Sequence, residues 1–341
     1  MTILVTACGS SIGLEVARSL KMAGCSERVI GTEVSWWGKE LGERFCDQLF
    51  ILPRGDEPGY IDALEQLIQD QQVQLLLVNT DPELEAIEPL RDQFQLPMSC
   101  PAADPLRICL DKQRLHELLA HEQLVANTVA VADSQQLEQA LEQVGRPGWL
   151  RCSTGPRGRG SILIESAEEG TAWIDYWRRR GGEEDQWLLH QYLPGRNLNW
   201  TSIWWQGELV VSAAGERLAY FLSEVAVSGI TGNVSHARTV VDDSLNEIAS
   251  RAVRAMDADP HGVYSVDLRE ASEGVPLVTE INARLAFRPL LYTHSGVNFS
   301  AVLADLALHD KQPDLPVMNA QVAGMEIIRG MDFEPLFRSP T

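Results

Sequence analysis

The order of apolar and polar positions predicts that the first third of the chain alternates short strands with amphipathic helices. Compact apolar runs bounded by turn residues are separated by segments in which apolar residues recur at helical spacing. Because strands that alternate with helices pair in parallel, this region predicts an α/β unit. The predicted elements are strand 3–7, helix 14–23, strand 28–32, helix 60–71, strand 74–79 and a helix capped by Asp81, with Pro82 at its first position.

Beyond residue 108 the pattern predicts a mixed region in which strands outnumber helices. Helices are predicted at 111–122, 134–144, 167–180, 244–256 and 300–308. Strands are predicted at 128–131, 149–152, 162–165, 187–192, 199–211, 263–268 and 278–284, the fifth interrupted by a turn at Gln206–Gly207. The apolar stretch 322–328 is left with two alternatives, a sheet edge at a dimer interface or a segment packed on its own domain.

The last two predicted strands before residue 300 carry the most informative polar residues. Side chains alternate along a strand, so Glu280, Asn282 and Arg284 share a face. A hairpin folded at Glu273–Gly274 would place Asp267 opposite Glu280, where two carboxylates repel unless a positive charge lies between them. Oxygen ligands of this kind suit Mg²⁺, with nucleotide phosphates completing its shell. The alternative is a solvated strand face that carries polar residues.

A glycine-rich loop between two predicted strands provides a second candidate site. Gly155, Gly158 and Gly160 alternate with Arg157 and Arg159 in this loop. Glycine lets backbone N–H groups approach a phosphate closely, and arginine adds charge and paired donors. The loop therefore predicts anion binding, and a polar hairpin tip is the alternative.

An earlier glycine loop, residues 8–13, resembles the cofactor loop of short-chain dehydrogenases. Glu33, after the next strand, could bind a ribose hydroxyl in such a protein. That family also needs a tyrosine followed four residues later by a lysine, and no tyrosine of this chain has that partner. The loop is therefore interpreted as a tight strand-to-helix turn, and an NAD(P)-dependent oxidoreductase is kept as an alternative function.

Composition narrows the classes of partner. The chain is 45% apolar with a formal net charge of −20, which disfavours nucleic acid and anionic lipid as partners. No apolar stretch is long enough to cross a membrane. Six cysteines lack the spacing of a zinc site or a disulfide framework, and no leader is recognised before the first strand, so a cytoplasmic protein is expected.

Together these motifs resemble the ATP-grasp superfamily over residues 111 to about 309, with the large-subunit module of carbamoyl-phosphate synthase as the nearest variety. The resemblance implies an N-terminal Rossmann-like α/β domain at 1–108, a small ATP-grasp subdomain at 109–190 and a C-terminal subdomain at 191–341. It implies a nucleotide site formed by Lys112, Arg151, Arg157, Gly158, Arg159, Gly160, Gln191, Tyr192, Leu193 and Asn197. It implies that Asp267, Glu280 and Asn282 bind Mg²⁺ or Mn²⁺.

Three positions depart from the motifs of that family. Ala283 stands where proline is usual, and Gln191 replaces an acid in a hinge that acts largely through its backbone. Asn197 replaces a glutamate, which removes one charge-assisted hydrogen bond to the ribose, worth roughly 1.5–3 kcal/mol. All three implied metal ligands are retained, so an active enzyme is expected.

The resemblance implies an ATP-dependent ligase in which a carboxylate attacks the γ-phosphate and an amine then displaces phosphate from the acylphosphate. Arg284 would stabilise the developing charge, and Arg288 would hold a carboxylate, with a surface salt bridge as the alternative for Arg288. Ser228, Thr231, Asn233 and His236 are the candidate substrate-pocket residues. The expected partners are a small carboxylate and an amine, amino acids among them, and a homodimer is considered. A non-catalytic nucleotide-binding module and an enzyme that releases its acylphosphate remain alternatives.

Overall fold

The computed structural model describes residues 1–132, 134–153, 160–180 and 186–331. Its strands form three sheets: one four-stranded and parallel, one four-stranded and antiparallel, and one six-stranded and antiparallel. The fold is therefore the mixed α/β arrangement that the sequence predicts, with a parallel sheet at the N-terminus.

The parallel sheet occupies the N-terminal third of the chain and has the strand order β3-β2-β1-β4. Its strands are β1 (Thr2–Val5), β2 (Arg28–Glu33), β3 (Gln48–Ile51) and β4 (Leu75–Leu77). Its helices are α1 (Ser11–Met22), α2 (Trp36–Gly42), α3 (Tyr60–Asp70), α4 (Asp81–Ile87) and α5 (Ala103–Leu110). Neither α2 nor β3 is predicted, since α2 is short and contains two glycines, which are weak helix formers.

The start of α4 differs by one residue from its prediction. Thr80, with an extended backbone at φ −132°, is the N-cap, and Asp81 is the first helical residue. The Asp81 carboxylate instead accepts a hydrogen bond from Arg284 Nε at 2.6 Å. The side chain predicted to cap the helix is thus used in a contact between distant parts of the chain.

The second sheet has the order β5-β8-β6-β7 and is antiparallel throughout. Its strands are β5 (Thr128–Val131), β6 (Gly148–Cys152), β7 (Ile162–Ile164) and β8 (Trp187–Gln191). The helices of this region are α6 (Lys112–Ala120), α7 (Leu137–Val144) and α8 (Ala167–Arg179). Leucines of α7 pack on the buried face of this sheet and form its own apolar core.

The third sheet has the order β13-β12-β9-β10-β11-β14. Its strands are β9 (Asn197–Trp205), β10 (Glu208–Tyr220), β11 (Val234–Val240), β12 (Gly262–Glu270), β13 (Pro276–Asn282) and β14 (Glu326–Ile328). The accompanying helices are α9 (Asp243–Met256), α10 (Pro289–His294) and α11 (Phe299–His309). Trp200 and Trp204 are fully buried and belong to the apolar core that includes α9.

Helices α1, α10 and α11 join the parallel sheet to the six-stranded sheet. One apolar core contains Val16 and Leu20 of α1 together with Leu291 of α10 and Leu303 of α11. Polar contacts reinforce it, since Thr293 Oγ1 donates to Ser19 Oγ at 2.8 Å. The β1–α1 turn is thereby held beside the segment that follows β13. Among the described residues, no helix has the length and apolar character needed to cross a bilayer.

Candidate functional site

A cavity of about 830 Å³ lies where the three sheets meet. The parallel-sheet unit contributes Gly9, Ser10, Glu33 and Asp81 to its wall. The four-stranded antiparallel sheet and α6 contribute Lys112, His116, Arg151 and His190. The six-stranded sheet contributes Arg217, Asp267, Glu280 and Asn282. Lys112, Arg151 and the three predicted metal ligands therefore line one cavity, although they come from different parts of the chain.

The two carboxylates predicted to face each other do so. Strands β12 and β13 pair antiparallel with Asp267 opposite Glu280, and the connecting turn contains Gly274 at φ +78°. The amide of Asn282 follows on the same strand, with Nδ2 3.5 Å from Glu280 Oε1. The hairpin thus presents three oxygen-bearing side chains to the cavity.

Each carboxylate has an arginine beside it. Arg217 Nη2 lies 2.6 Å from Asp267 Oδ1, while Arg151 Nη1 lies 3.8 Å from Glu280 Oε2. Burial raises the pKa of Asp267 despite the opposing effect of Arg217. Burial acts on Glu280 as well, but Lys112 and Arg151 outweigh it and hold the pKa of Glu280 below its usual value. The positive charge expected between the two carboxylates is thus supplied in part by Arg217, Arg151 and Lys112.

Arg217 is a residue of the cavity wall that the motifs of the sequence do not predict. It lies on β10, its side chain is 8% exposed, and its guanidinium stands over the ring of Phe287. The only signal in the sequence is the alternation of β10, which places an arginine on the buried face of the strand. A buried arginine needs an acidic partner. That partner, Asp267, is distant in sequence, and no local pattern connects the two.

The oxygen donors of the hairpin fit a divalent cation. Among the described residues, Arg217 and Asn199 both donate to Oδ1 of the Asp267 carboxylate, which leaves Oδ2 available to a ligand. Within the described ranges, no group of three or more His, Cys, Asp or Glu side chains could hold a metal alone. An ion here would use Asp267, Glu280 and the Asn282 amide oxygen, and would complete its shell with ligand oxygens, as Mg²⁺ does with phosphates.

The two cations predicted to bind phosphates lie in the cavity wall. Lys112 is the first residue of α6, after the N-cap Asp111, whose carboxylate accepts from Arg114 N at 3.1 Å. Arg151 projects from β6, where Nε donates to His190 Nε2 at 3.0 Å and Nη2 donates to Thr279 O at 2.8 Å. Both cations approach Glu280 from the side of the four-stranded antiparallel sheet.

The predicted adenine hinge lies at the end of β8. Gln191, Tyr192 and Leu193 all line the cavity, and Leu193 is 6% exposed. The side chain of Asn197, predicted at the ribose, is engaged at both ends by the protein. Its Oδ1 accepts from Arg217 Nη1 at 3.1 Å, and its Nδ2 donates to Tyr220 Oη at 2.8 Å.

The two arginines given catalytic roles have partners in the parallel-sheet unit. Arg284 lines the cavity and is bound to Asp81. Arg288 is 2% exposed and forms an ion pair with Glu15 of α1. The alternative considered for Arg288 was a surface salt bridge, whereas this pair is buried.

The remaining predicted residues divide into two groups. Thr231 and Asn233 line the cavity. Ser228 and His236 are engaged elsewhere, Ser228 Oγ with Ile230 O at 3.1 Å and His236 Nε2 with Glu326 Oε2 at 3.0 Å. In the phosphate loop, Arg157, Gly158 and Arg159 lie outside the described residues. Gly160 is described, at φ +73°, where an added Cβ would lie 2.6 Å from Cys152 Sγ.

The N-terminal glycine loop forms the opposite wall of the cavity. Ser10 caps α1 by accepting from Gly13 N at 3.2 Å. Glu33 accepts from Gly9 N through Oε2 and from Val34 N through Oε1, each at 2.8 Å. The carboxylate considered as a ribose ligand is therefore occupied in holding the loop.

Comparisons with known proteins agree with this architecture. Residues 3–98 match the family model described as the PylC-like N-terminal domain. Biotin carboxylase from Campylobacter jejuni superposes with a TM-score of 0.72 at 15% identity, covering 92% of this chain and 72% of that one. N5-carboxyaminoimidazole synthetase from Staphylococcus aureus gives a TM-score of 0.67 at 15% identity, over 93% and 78% of the respective chains.

An L-amino acid ligase from Bacillus licheniformis is also similar, with a TM-score of 0.65 at 14% identity over 90% of this chain and 73% of that one. These proteins share the ATP-grasp fold, and the similarity extends over nearly all of the present chain. The chain therefore has the ATP-grasp fold, as its motifs suggested.

Proposed function

We propose that this chain, with its ATP-grasp fold, is an ATP-dependent ligase that joins a carboxylate to an amine through an acylphosphate. One observation carries the proposal. Asp267 and Glu280 face each other on the six-stranded sheet, while Lys112 of α6 and Arg151 of the four-stranded antiparallel sheet approach Glu280. An acidic metal-binding face opposed by phosphate-binding cations is the arrangement that phosphoryl transfer from a nucleotide requires.

The nucleotide would lie between the two antiparallel sheets. Lys112 and Arg151 would contact its phosphates, and the backbone of Gln191–Leu193 would contact the adenine edge. Asn197 would reach the ribose only if it exchanged its contact with Arg217 or Tyr220 for one with the sugar. Nucleotide binding by a protein of this fold supports the proposal, since the similar biotin carboxylase structure is described as a complex with β,γ-ATP.

Asp267, Glu280 and Asn282 would hold Mg²⁺ or Mn²⁺, which neutralises phosphate charge when bound. Arg284 lies at the end of the same hairpin and would stabilise the negative charge that develops on the transferred phosphoryl group. Glycine-loop residues 157–160 would cover the phosphates and exclude water from the acylphosphate.

The reaction balances as two displacements. A carboxylate oxygen attacks the γ-phosphorus, the bond from that phosphorus to the β-bridging oxygen breaks, and ADP leaves. The amine nitrogen then attacks the acyl carbon, the acyl–oxygen bond breaks, and phosphate leaves while the nitrogen loses a proton. Amino acids are proposed among the substrates, in keeping with the L-amino acid ligase among the similar structures.

The test is an isotope experiment with the full chain. Carboxylate substrates labelled with ¹⁸O are incubated with ATP, Mg²⁺ and a pool of amines, and the phosphate released is analysed by mass spectrometry. The mechanism requires one labelled oxygen to appear in phosphate, together with one ADP per amide. Release of ADP with unlabelled phosphate would contradict the acylphosphate route.

A second candidate, a nucleotide-binding module without turnover, is favoured by the commitment of Asn197 to Arg217 and Tyr220. It would bind ADP but release none from ATP with any substrate pool. Oxidoreductase activity receives less support, because both oxygens of Glu33 already accept backbone N–H groups. Cytoplasmic location and homodimerisation through the exposed edge near Ile328 remain predictions, the latter checked by analytical ultracentrifugation.

A further inference from the structure

Arg151 and four residues around it form a closed circuit of hydrogen bonds, here called the Arg151 ring. Arg151 Nε donates to His190 Nε2 at 3.0 Å, and His190 Nδ1 lies 2.8 Å from Thr128 Oγ1. Thr128 Oγ1 lies 3.2 Å from His116 Nδ1, and His116 Nε2 lies 3.2 Å from Thr279 O. Arg151 Nη2 closes the circuit by donating to the same carbonyl oxygen at 2.8 Å.

The contacts determine the protonation of the histidines. Arg151 Nε always carries a proton, so His190 must accept at Nε2 and carry its own proton on Nδ1. His116 protonated on Nε2 donates to Thr279 O and accepts at Nδ1 from the Thr128 hydroxyl. Protonated on Nδ1, it donates to Thr128 Oγ1, which then donates to Ala126 O at 3.0 Å, and its Nε2 accepts from Arg151 Nη2. A charged imidazolium would be repelled by the guanidinium, which lies 3.3 Å from His116 Nε2. Both rings are buried, at 5% exposure each, and their neutral forms complete the circuit.

The ring joins two sheets at the phosphate end of the cavity. Arg151, Thr128 and His190 belong to β6, β5 and β8 of the smaller sheet, His116 belongs to α6, and Thr279 belongs to β13. Thr279 directly precedes Glu280 on β13. The ring therefore fixes the distance between the proposed phosphate-binding arginine and the proposed metal-binding hairpin.

The ring also leaves one side of the guanidinium directed into the cavity. Nε and Nη2 are committed to His190 and Thr279, whereas Nη1 is the atom nearest Glu280, at 3.8 Å. An arginine side chain has many rotamers, so without these partners its guanidinium would sample several orientations. Held as it is, Nη1 presents its protons beside Glu280, where phosphate oxygens would bind.

We propose that His190, His116 and Thr128 are positioning residues that orient Arg151 toward the nucleotide phosphates. Thr128 is at the far side of the ring from Arg151 and is linked to it through the two histidines, while its hydroxyl also lies 3.0 Å from Ala126 O. This inference rests on the proposed function in one respect, namely that Arg151 binds a nucleotide phosphate.

The test compares matched substitutions within the ring. Thr128→Val removes the hydroxyl at nearly constant shape, and Thr128→Ser retains it. His190→Leu removes the acceptor for Arg151 Nε, and His190→Gln restores an acceptor oxygen. Each full-length variant is titrated calorimetrically with ADP and, separately, with adenosine, which lacks the phosphates.

The expected result is a selective loss of phosphate-dependent affinity. Thr128→Val should weaken ADP binding about 3- to 10-fold, the effect of one hydrogen bond, and His190→Leu should weaken it by more than about 10-fold. Adenosine affinity should stay unchanged in both, and Thr128→Ser and His190→Gln should bind ADP within about twofold of the wild type. Folding of each variant is checked by circular dichroism.

Three outcomes would overturn the inference. Folded Thr128→Val and His190→Leu proteins that bind ADP like the wild type would show that the ring does not position Arg151. Equal losses for ADP and adenosine would indicate a general structural effect. A wild-type protein that binds adenosine but gains nothing from the phosphates of ADP would refute both the inference and the proposed function, which distinguishes the two failures.

A spectroscopic measurement keeps the inference testable if the variants do not fold. Long-range ¹H–¹⁵N correlation spectra of the wild type report which ring nitrogen of each histidine carries the proton. The ring requires His190 to be the neutral form protonated on Nδ1. A spectrum in which His190 is charged at neutral pH, or protonated on Nε2, would exclude the donation from Arg151 and with it the positioning role.

Discussion

At the scale of single residues, the two acids of the site are paired with different cations. Asp267 is paired with Arg217, and Glu280 is approached by Arg151 and Lys112, so the two acids have different electrostatic surroundings. Removing one member of a buried pair leaves an uncompensated charge, which typically costs about 3–5 kcal/mol. Arg217 is therefore expected to be needed for stability, and Glu280, half open to the cavity, for ligand binding.

Glu280→Gln is expected to abolish magnesium-dependent turnover while preserving the fold. The change removes the negative charge that would face a metal, so ADP release should fall at least about 100-fold. Steady-state ADP release is the measurement, with Glu273→Gln in the exposed turn of the same hairpin as the control. Full turnover by the Glu280→Gln protein would refute the metal assignment.

Acidification should lower the free energy of unfolding, and the protonation of His116 should account for part of this loss. Burial, with help from Arg151, lowers the pKa of His116 to about 3, whereas an unfolded histidine titrates near 6.5. Between these values the unfolded chain binds the extra proton, so the stability present above about pH 6.5 is lost as the pH falls toward 3. His116 alone should cost about 2 kcal/mol between pH 7 and pH 5.

Urea unfolding of the wild type and of His116→Gln at pH 7 and pH 5 measures this contribution as a difference between the two proteins. Glutamine does not titrate in this range, so the variant should lose less stability on acidification. Identical losses in the two proteins would show that His116 does not carry the effect.

At the scale of elements, the hairpin was predictable and the shorter elements were not. The polar alternation of 278–284 and the turn at Glu273–Gly274 predict the hairpin itself. The pairing of Asp267 with Glu280 also depends on a register shift after the Leu268–Val278 pair, without which Asp267 would lie opposite Thr279. Strand β11 (234–240) has no such signal in the sequence, because it is defined by its pairing with β10 and β14. The Arg151 ring was equally hidden, because its members come from five elements whose approach depends on tertiary packing.

Gly13→Ala is expected to disturb the β1–α1 turn and the cavity wall with it. An added Cβ would lie 2.2 Å from the backbone oxygen of Ala7, an atom that cannot move without shifting the turn. Overpacking of this kind costs about 1–3 kcal/mol. Thermal unfolding is the measurement, and Gly330→Ala, with no neighbouring atom within 4 Å of its added Cβ, is the control. Equal melting temperatures for the two variants would contradict the expectation.

At the scale of the whole molecule, the parallel-sheet unit and the large sheet are joined across the cavity by charges as well as by apolar packing. Glu15 with Arg288 and Asp81 with Arg284 connect α1 and α4 to the segment that follows β13. The sequence predicts the sheets but not these ion pairs, because an ion pair between residues more than two hundred positions apart leaves no local pattern.

Glu15→Gln is expected to weaken that junction. It leaves Arg288 buried and without its counter-charge, which should destabilise the protein by about 3–5 kcal/mol. Adding Arg288→Met should recover part of the loss, since the double variant buries no charge. Denaturant unfolding of the two single variants and the double variant measures the coupling, and strictly additive effects would show that the two side chains act independently.

The position of β13 at the edge of the six-stranded sheet has a further consequence for solubility. An uncovered strand edge offers free backbone groups to other molecules and is a starting point for aggregation. Here Val278 N donates to Leu124 O, and the carbonyl of Thr279 is covered by Arg151 and His116. The contacts proposed to orient Arg151 thus also cover part of the edge of β13, and loosening them should make the protein more prone to aggregate.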